Sequence, residues 1–267
     1  VVVGGVRRSA LISLSNLNDD QMRHAKSGQW WENEGHRALA NNSVAYKGKP
    51  DMGTFMREWL ALYESKSGER GIFNRISAKE QAKKFGRRDA DHEFGCNPCS
   101  EIILRPYQFC NLTEVVIREK DRFEDLKRKV MLATILGTAQ ATLTKFPYLR
   151  KIWQKNTEEE RLLGVSLTGI MDNELTNGKK HGLEKTLEAL REIAVETNKE
   201  WSAIFGIPQS TAITCVKPSG TVSQLVDSSS GIHPRHSSYY IRTVRGCLLY
   251  TSPSPRDLST ARMPSSA

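Results

Sequence analysis

The feature that most constrains this chain is the interleaving of short apolar runs with longer stretches of helical period. LLGVSLTGI (162–170) and TAITCV (211–216) are too short and too continuously apolar for surface helices and read as buried strands. Between them, Leu183, Leu187, Leu190, Ala194 and Trp201 fall on one helical face, and Gly206 suits the turn that closes it. Phe123, Leu126, Val130 and Ala133 mark a second helix, which should end before Pro147 because the proline ring disfavours helical geometry at Phe146. Thr54 precedes Phe55, Trp59, Leu62 and Tyr63, a third helical face expected to stop near Gly68. At the start, VVVGG reads as a strand turning on Gly4 and Gly5, and RRSALISL resumes an extended run, so an arginine-bearing loop joins two strands. Helices alternating with buried strands predict an α/β fold.

Composition narrows the class. With 267 residues, 38% of them hydrophobic, the chain holds enough apolar surface for a substantial core. No apolar run reaches the length of a membrane span, and the arginines in VVVGGVRRSALISL spoil a signal peptide, so a cytoplasmic protein with no membrane partner is expected. The net charge of +9 is spread among Asp and Glu along the chain, which argues for a solvated surface over a nucleic-acid groove. Five cysteines, an odd number, do not make a secreted disulfide framework and predict reduced thiols. From Cys247 the sequence CLLYTSPSPRDLSTARMPSSA loses apolar periodicity, and 247–267 reads as a disordered tail outside a domain spanning 1–246.

The chemistry concentrates in GCNPCSEIIL (95–104), followed by Cys110. A zinc site needs four ligands, and Cys96 and Cys99 have no second cysteine pair to join them, so no metal is expected. A thioredoxin-like motif should open a helix, whereas SEIIL looks extended. If the segment is extended, Asn97, Cys99 and Glu101 alternate onto one side, where an amide, a thiol and a carboxylate meet one small substrate.

NPCSE, with CNLTEV beginning at Cys110, resembles the active-site segment of ribonucleotide reductases, specifically the adenosylcobalamin-dependent class acting on ribonucleoside triphosphates. WWENEGHRALANNSV, SGERGIFNR, ERLLGVSLTGIMD, KPSGTVSQL and GIHPRHSSYYIRTVR resemble further blocks of that class in the same order, out to about residue 245. The resemblance implies part of a ten-stranded α/β barrel with the active-site cysteine on a central finger loop. It implies that Cys99 is the thiyl-radical residue that takes hydrogen from the ribose 3' carbon, a task outside ordinary acid-base chemistry. Glu101 is then the general base on the 3' hydroxyl, Asn97 a hydrogen-bonding partner of the ribose hydroxyls, and Cys110 one of two reducing thiols. Asn97 before Pro98 also suits a turn, and the two roles are compatible.

Substrate phosphates are implied to lie at Pro218, Ser219, Gly220 and Thr221, where TAITCV gives way to a glycine turn and a helix start; as a bare motif, PSGT is a turn. Asn41, Asn42 and Ser43 are implied to line the substrate pocket, and Gly5, Arg7 and Arg8 to form the loop that reads the base and senses a deoxynucleotide effector, with Arg7 the best placed cation. A thioredoxin-like reductant is the implied electron donor. The resemblance also implies that the partner of Cys110 lies upstream of Val1 in the family, so the chain is expected to be the middle of a longer enzyme with no turnover alone, and the tail from Cys247 to be foreign to it. The competing reading is a noncatalytic nucleotide- or zinc-binding module that uses the CNPC and PSGT elements.

Overall fold

A computed structural model describes residues 11–220 and 222–241, organised as two compact units. The first takes the described residues of Val1–Val44, Asp51–Gly71 and Ser237–Ala267; the second comprises Ala45–Pro50 and Ile72–His236. Gly5, Arg7, Arg8, Thr221 and the 247–267 tail, each given a role or a state by the sequence, lie outside the described residues.

In the first unit, β1 (Leu11–Ser15) pairs in parallel with β2 (Ala40–Tyr46), in register from Leu11 opposite Ala40 to Ser15 opposite Val44. A parallel pair needs a crossover. Here it carries two single-turn helices, α1 (Asp20–Arg23) and α2 (Trp30–Asn33). The helix expected from Thr54 is α3 (Met52–Ser65), and Asp51 rather than Thr54 caps it, its carboxylate accepting the Thr54 amide at 3.0 Å.

The face that α3 buries also differs from expectation. Trp59 and Tyr63 are exposed, whereas Glu58 and Ala61 are buried. The reason is electrostatic. Glu58 receives Arg70 through two hydrogen bonds of 2.7 and 2.9 Å and Arg23 through a third of 2.5 Å. Burial pushes the Glu58 carboxyl up, and the bonds from Arg70 and Arg23 outweigh it and hold the group below the usual carboxylate range. Arg70 also donates to Ser15 Oγ and to the carbonyls of Asn16 and Leu17, fastening the end of β1 to α3. A single buried carboxylate thus overrides the apolar stripe as the guide to orientation.

The second unit begins on β3 (Gly71–Asn74) and α4 (Arg75–Lys83), with Asn74 capping the helix through the Ile76 and Ser77 amides. A short antiparallel hairpin follows: β4 (Gly95–Cys96) against β5 (Ile103–Leu104). β6 (Asn111–Val116) then runs parallel to β7 (Leu163–Thr168), from Asn111 opposite Leu163 to Val116 opposite Thr168. The crossover holds α5 (Phe123–Gln140) and α6 (Lys151–Glu160). The long helix α7 (Leu183–Ile204) follows β7, and α8 (Val222–Leu225) is a single turn.

The periodicity predicted for α5 holds, and that for α7 holds at Leu190 and Ala194, whereas Leu187 is exposed. Leu126 and Val130 of α5 and Leu190 and Ala194 of α7 pack with Val115, Leu163 and Val165 of the two strands into one core. Gly206 follows α7 at φ +67°, the left-handed turn expected there. TAITCV is less regular than a full strand. Thr214 makes an isolated parallel bridge to Val165, with Val165 N–H donating to Ile213 O and Cys215 N–H to Val165 O.

One buried ion pair ties the hairpin to this framework. Arg88 and Glu160 have side chains 4% and 1% exposed and meet through two hydrogen bonds of 2.8 Å each. Arg88 also donates to Ile103 O in β5, and Gln108 donates to Glu160 Oε2. Replacing Glu160 with Met leaves Arg88 buried without its carboxylate, and should lower stability by about 3–5 kcal/mol in urea unfolding. The Arg88→Met/Glu160→Met double variant should regain most of that loss; a Glu160→Met loss below about 1 kcal/mol would show that the pair is not a structural tie.

Candidate active site

The hairpin joining β4 to β5 turns within NPCSEI, and it is not extended there. Ser100 N–H donates to Asn97 O at 2.9 Å, closing a turn with Asn97 first, Pro98 second and Cys99 third. Ser100 adopts φ +61°. Asn97 Oδ1 accepts the Ile102 amide at 3.0 Å. The alternation expected of Asn97, Cys99 and Glu101 along a strand is therefore corrected: Asn97–Pro98 initiates a turn more strongly than the flanking apolar residues propagate a strand. Cys99 sits exposed at the tip of the loop, and Glu101 lies on the returning arm, half-buried.

The loop is seated on β7 by an absence of side chain. A Cβ on Gly164 would come within 2.4 Å of Leu112 Cδ2, 2.8 Å of Ile102 Cδ1 and 3.0 Å of Cys215 Sγ. Ile102 from the hairpin, Leu112 from β6 and Cys215 from the bridging segment thus share the notch that glycine leaves. Cys110, which immediately precedes β6, arrives in the same neighbourhood. Its charge and that of Glu101 both act on the Cys215 thiol.

Burial is the main cause that pushes the Cys215 thiol up, to about 12; the Glu101 carboxylate adds to it and Lys217 opposes it. Cys96, buried at the base of the hairpin, is raised for the same reason, partly offset by a hydrogen bond with Ser100. Glu101 Oε2 is buried without a hydrogen-bond partner among the described residues. With Ser166 and Cys215, Glu101 lines a cavity of about 870 Å³ whose far wall is Leu183, Leu187 and Leu190 of α7. A buried carboxylate oxygen without a partner carries an unmet demand for a hydrogen-bond donor.

Beside Cys215 the chain enters KPSG. Lys217 N–H donates to Ser166 Oγ at 3.1 Å, and Lys217 Nζ meets Glu114 Oε2 at 2.5 Å, joining β6 to the loop that carries Pro218, Ser219 and Gly220. Ser219 is buried and its hydroxyl meets that of Ser230 at 2.9 Å. Gly231 packs against Lys217 O and donates its amide to Thr168 Oγ1, so the loop rests on the end of β7. Pro218 and Gly220 are exposed beside it.

Asn97, Cys99, Glu101, Cys110 and Pro218 to Gly220 all belong to the second unit, whereas Asn41, Asn42 and Ser43 lie on β2 in the first. Asn42 is buried and donates through Nδ2 to Met22 O, while its own amide donates to Glu69. Glu114, Ser166 and Lys217 are site neighbours that sequence reasoning passed over, and Cys215, which the sequence reads as a core thiol beside the PSGT loop, is half-buried among them. A charged Glu114 inside the apolar CNLTEVV was the available signal, because a half-buried strand carboxylate needs a cation and Lys217 is that cation.

Among the described residues no cluster of His, Cys, Asp and Glu could hold a metal ion, and no helix is long and apolar enough to cross a membrane. No family model matches the chain. Among curated proteins, the adenosylcobalamin-dependent ribonucleoside-triphosphate reductase of Lactobacillus leichmannii is 30% identical over 92% of this chain and 36% of its own length. The protein of the same name from Lactobacillus acidophilus (strain ATCC 700396 / NCK56 / N2 / NCFM) is 32% identical, again over 92% and 36%. A crystal structure of a B-12 dependent (class II) ribonucleotide reductase superposes with a TM-score of 0.64 at 26% identity, covering 83% of this chain and 34% of that one. The Actinobacillus ureae class Id ribonucleotide reductase alpha subunit, at 15% identity and a TM-score of 0.58 over 96% of this chain and 52% of its own, supports the fold alone. The chain thus spans about a third of the length of the curated relatives it matches.

The thiols should separate by reactivity. Alkylation requires the thiolate, so with its thiol at about 12, Cys215 holds roughly one thiolate in ten thousand at pH 8. Iodoacetamide at pH 8, mapped by mass spectrometry, should modify exposed Cys99 before buried Cys96 and half-buried Cys215. The Cys215 rate should climb about tenfold per pH unit from 8 to 10. A plateau below pH 9.5 would contradict the buried environment assigned to it.

Proposed function

We propose that this homologue of the adenosylcobalamin-dependent ribonucleoside-triphosphate reductases carries the radical-bearing core of such an enzyme, which reduces ribonucleoside triphosphates to 2'-deoxyribonucleotides. The observation that carries the reading is the hairpin: an exposed thiol, Cys99, at its tip, and on the returning arm a cavity-lining carboxylate, Glu101, with one buried oxygen unpartnered among the described residues. The similarity of the whole 92% stretch supports it.

In this reading Cys99 takes the hydrogen from the ribose 3' carbon, since sulfur holds an unpaired electron that no ordinary acid or base can. Glu101 accepts the proton of the 3' hydroxyl, and its placement two residues beyond Cys99, past the left-handed Ser100, sets base and thiol on one loop. Cys110, just before β6, is one of two thiols that together give two electrons and close to a disulfide, its partner lying upstream in the complete enzyme, and a thioredoxin-like protein re-reduces that disulfide. Pro218, Ser219, Gly220 and Thr221 hold the phosphates, Asn41, Asn42 and Ser43 line the pocket for the sugar and base, and Gly5, Arg7 and Arg8 relay the identity of a deoxynucleotide effector. The fold is completed as the ten-stranded barrel with the hairpin as its central finger, residues 1–246 forming part of that barrel domain. The cytoplasm is the compartment where such thiols stay reduced.

An exposed thiol at the tip of a two-stranded hairpin fits a bulky corrin, which needs an approach the sheet does not block. When bound, adenosylcobalamin supplies the one-electron oxidation of the Cys99 thiol. In this reading Cys99 is a residue that would face the cofactor.

In a full-length enzyme containing this segment, Cys99→Ser should abolish multiple-turnover reduction while nucleotide affinity measured by equilibrium binding stays near wild type. The serine O–H bond is too strong for the radical exchange, yet the side chain is nearly the same size. Sustained turnover by Cys99→Ser would sink the assignment. Glu101→Gln keeps shape and removes the base, so kcat should fall by about 10²–10⁴ with a modest change in KM. A near-normal kcat would return Glu101 to a structural role.

A further inference from the structure

We propose that Asn97 is a positioning residue for Cys99, its side-chain carbonyl standing in for the main-chain carbonyl that the turn consumes. The inference rests on the reading of Cys99 as the radical-bearing thiol. The hairpin ladder runs from Gly95 opposite Leu104 to Cys96 opposite Ile103, and the next facing pair is Asn97 and Ile102. Half of that pair forms normally: Asn97 N–H donates to Ile102 O at 3.3 Å. The other half would have the Ile102 amide donate to Asn97 O, but that oxygen is turned to Ser100 N–H. The Ile102 amide instead donates to Asn97 Oδ1 at 3.0 Å.

One residue thereby satisfies two amides. The ladder extends a further step while the chain between is cinched into a tight turn, and Cys99 is held at its tip. Ile102 is 4% exposed and is wedged into the notch at Gly164, so water does not readily replace that bond. Neighbouring features hold the same geometry. Pro98 fixes φ at the second turn position, and Ser100, at φ +61°, brings its hydroxyl to 3.4 Å from Cys96 Sγ. Only an oxygen acceptor of the right length serves. Asp keeps it, whereas Ala removes it. The bond to Ile102 commits the carbonyl oxygen alone, so any hydrogen bond from the Asn97 amide nitrogen to a ribose hydroxyl uses a different atom.

The test has two arms. In the present chain, amide hydrogen exchange at Ile102 should be about tenfold faster in Asn97→Ala than in wild type, and within about threefold of wild type in Asn97→Asp, while β6 and β7 amides are unchanged in both. If Asn97→Ala does not fold, Asn97→Ser, whose hydroxyl is shorter, replaces it with the same expectation. In a full-length enzyme, Asn97→Asp should retain at least about ten times the kcat of Asn97→Ala, with KM within about threefold between them. Unchanged exchange at Ile102 in Asn97→Ala overturns the turn-building role. The expected exchange with Asp and Ala equally impaired in kcat overturns the link to Cys99 and leaves a ribose contact as the function of Asn97. Failure of the radical reading itself shows separately, as turnover by Cys99→Ser with the Ile102 exchange pattern intact.

Discussion

The site depends on a missing side chain. Gly164 lies in β7 with its neighbours in register, and the space where a Cβ would stand is taken by Ile102, Leu112 and Cys215. Those residues come from the β4–β5 hairpin, from the strand that follows Cys110 and from the segment that leads to the phosphate-loop candidates. Any larger residue at 164 would have to displace one of them, because close-packed interiors do not absorb an added methyl without a shift. The glycine therefore fixes how near the hairpin can approach the two parallel strands, and hence where Cys99 and Glu101 stand relative to Cys110.

Around that notch the polar groups are arranged to hold and not to react. Arg88 and Glu160 clamp the arm of the hairpin with both charges buried and hydrogen-bonded. Lys217 and Glu114 do the same between β6 and the KPSG loop. Cys96 is buried and Cys215 half-buried, and desolvation pushes both thiols up, which favours the protonated, unreactive form. Among the described cysteines the exposed one is Cys99, and the carboxylate with an unpartnered buried oxygen on its loop is Glu101.

Much of this was legible in the sequence, and the exceptions have physical causes. The faces of α5 and α7 were readable because Leu126, Val130, Leu190 and Ala194 pack into an apolar core, the situation in which periodicity reports burial. The face of α3 was misread because buried Glu58 answers to Arg70 and Arg23, an ion pairing that depends on residues distant in sequence. The residue types of NPCSE marked it as a candidate site, but its shape was not visible. Alternation suggested a strand, while the Asn97 side chain and Pro98 impose a turn. Glu114 and Lys217 were passed over since their pairing spans the whole β6 to KPSG interval and only the fold brings them together.

The most direct measurement is the structure of a full-length enzyme containing this segment with a ribonucleoside triphosphate bound. The account predicts the ribose at the hairpin tip, with Cys99 Sγ about 3–4 Å from the 3' carbon and a Glu101 carboxylate oxygen within hydrogen-bond reach, about 3 Å, of the 3' hydroxyl. A nucleotide whose ribose lies more than about 8 Å from Cys99, with Glu101 facing no substrate hydroxyl, would contradict it.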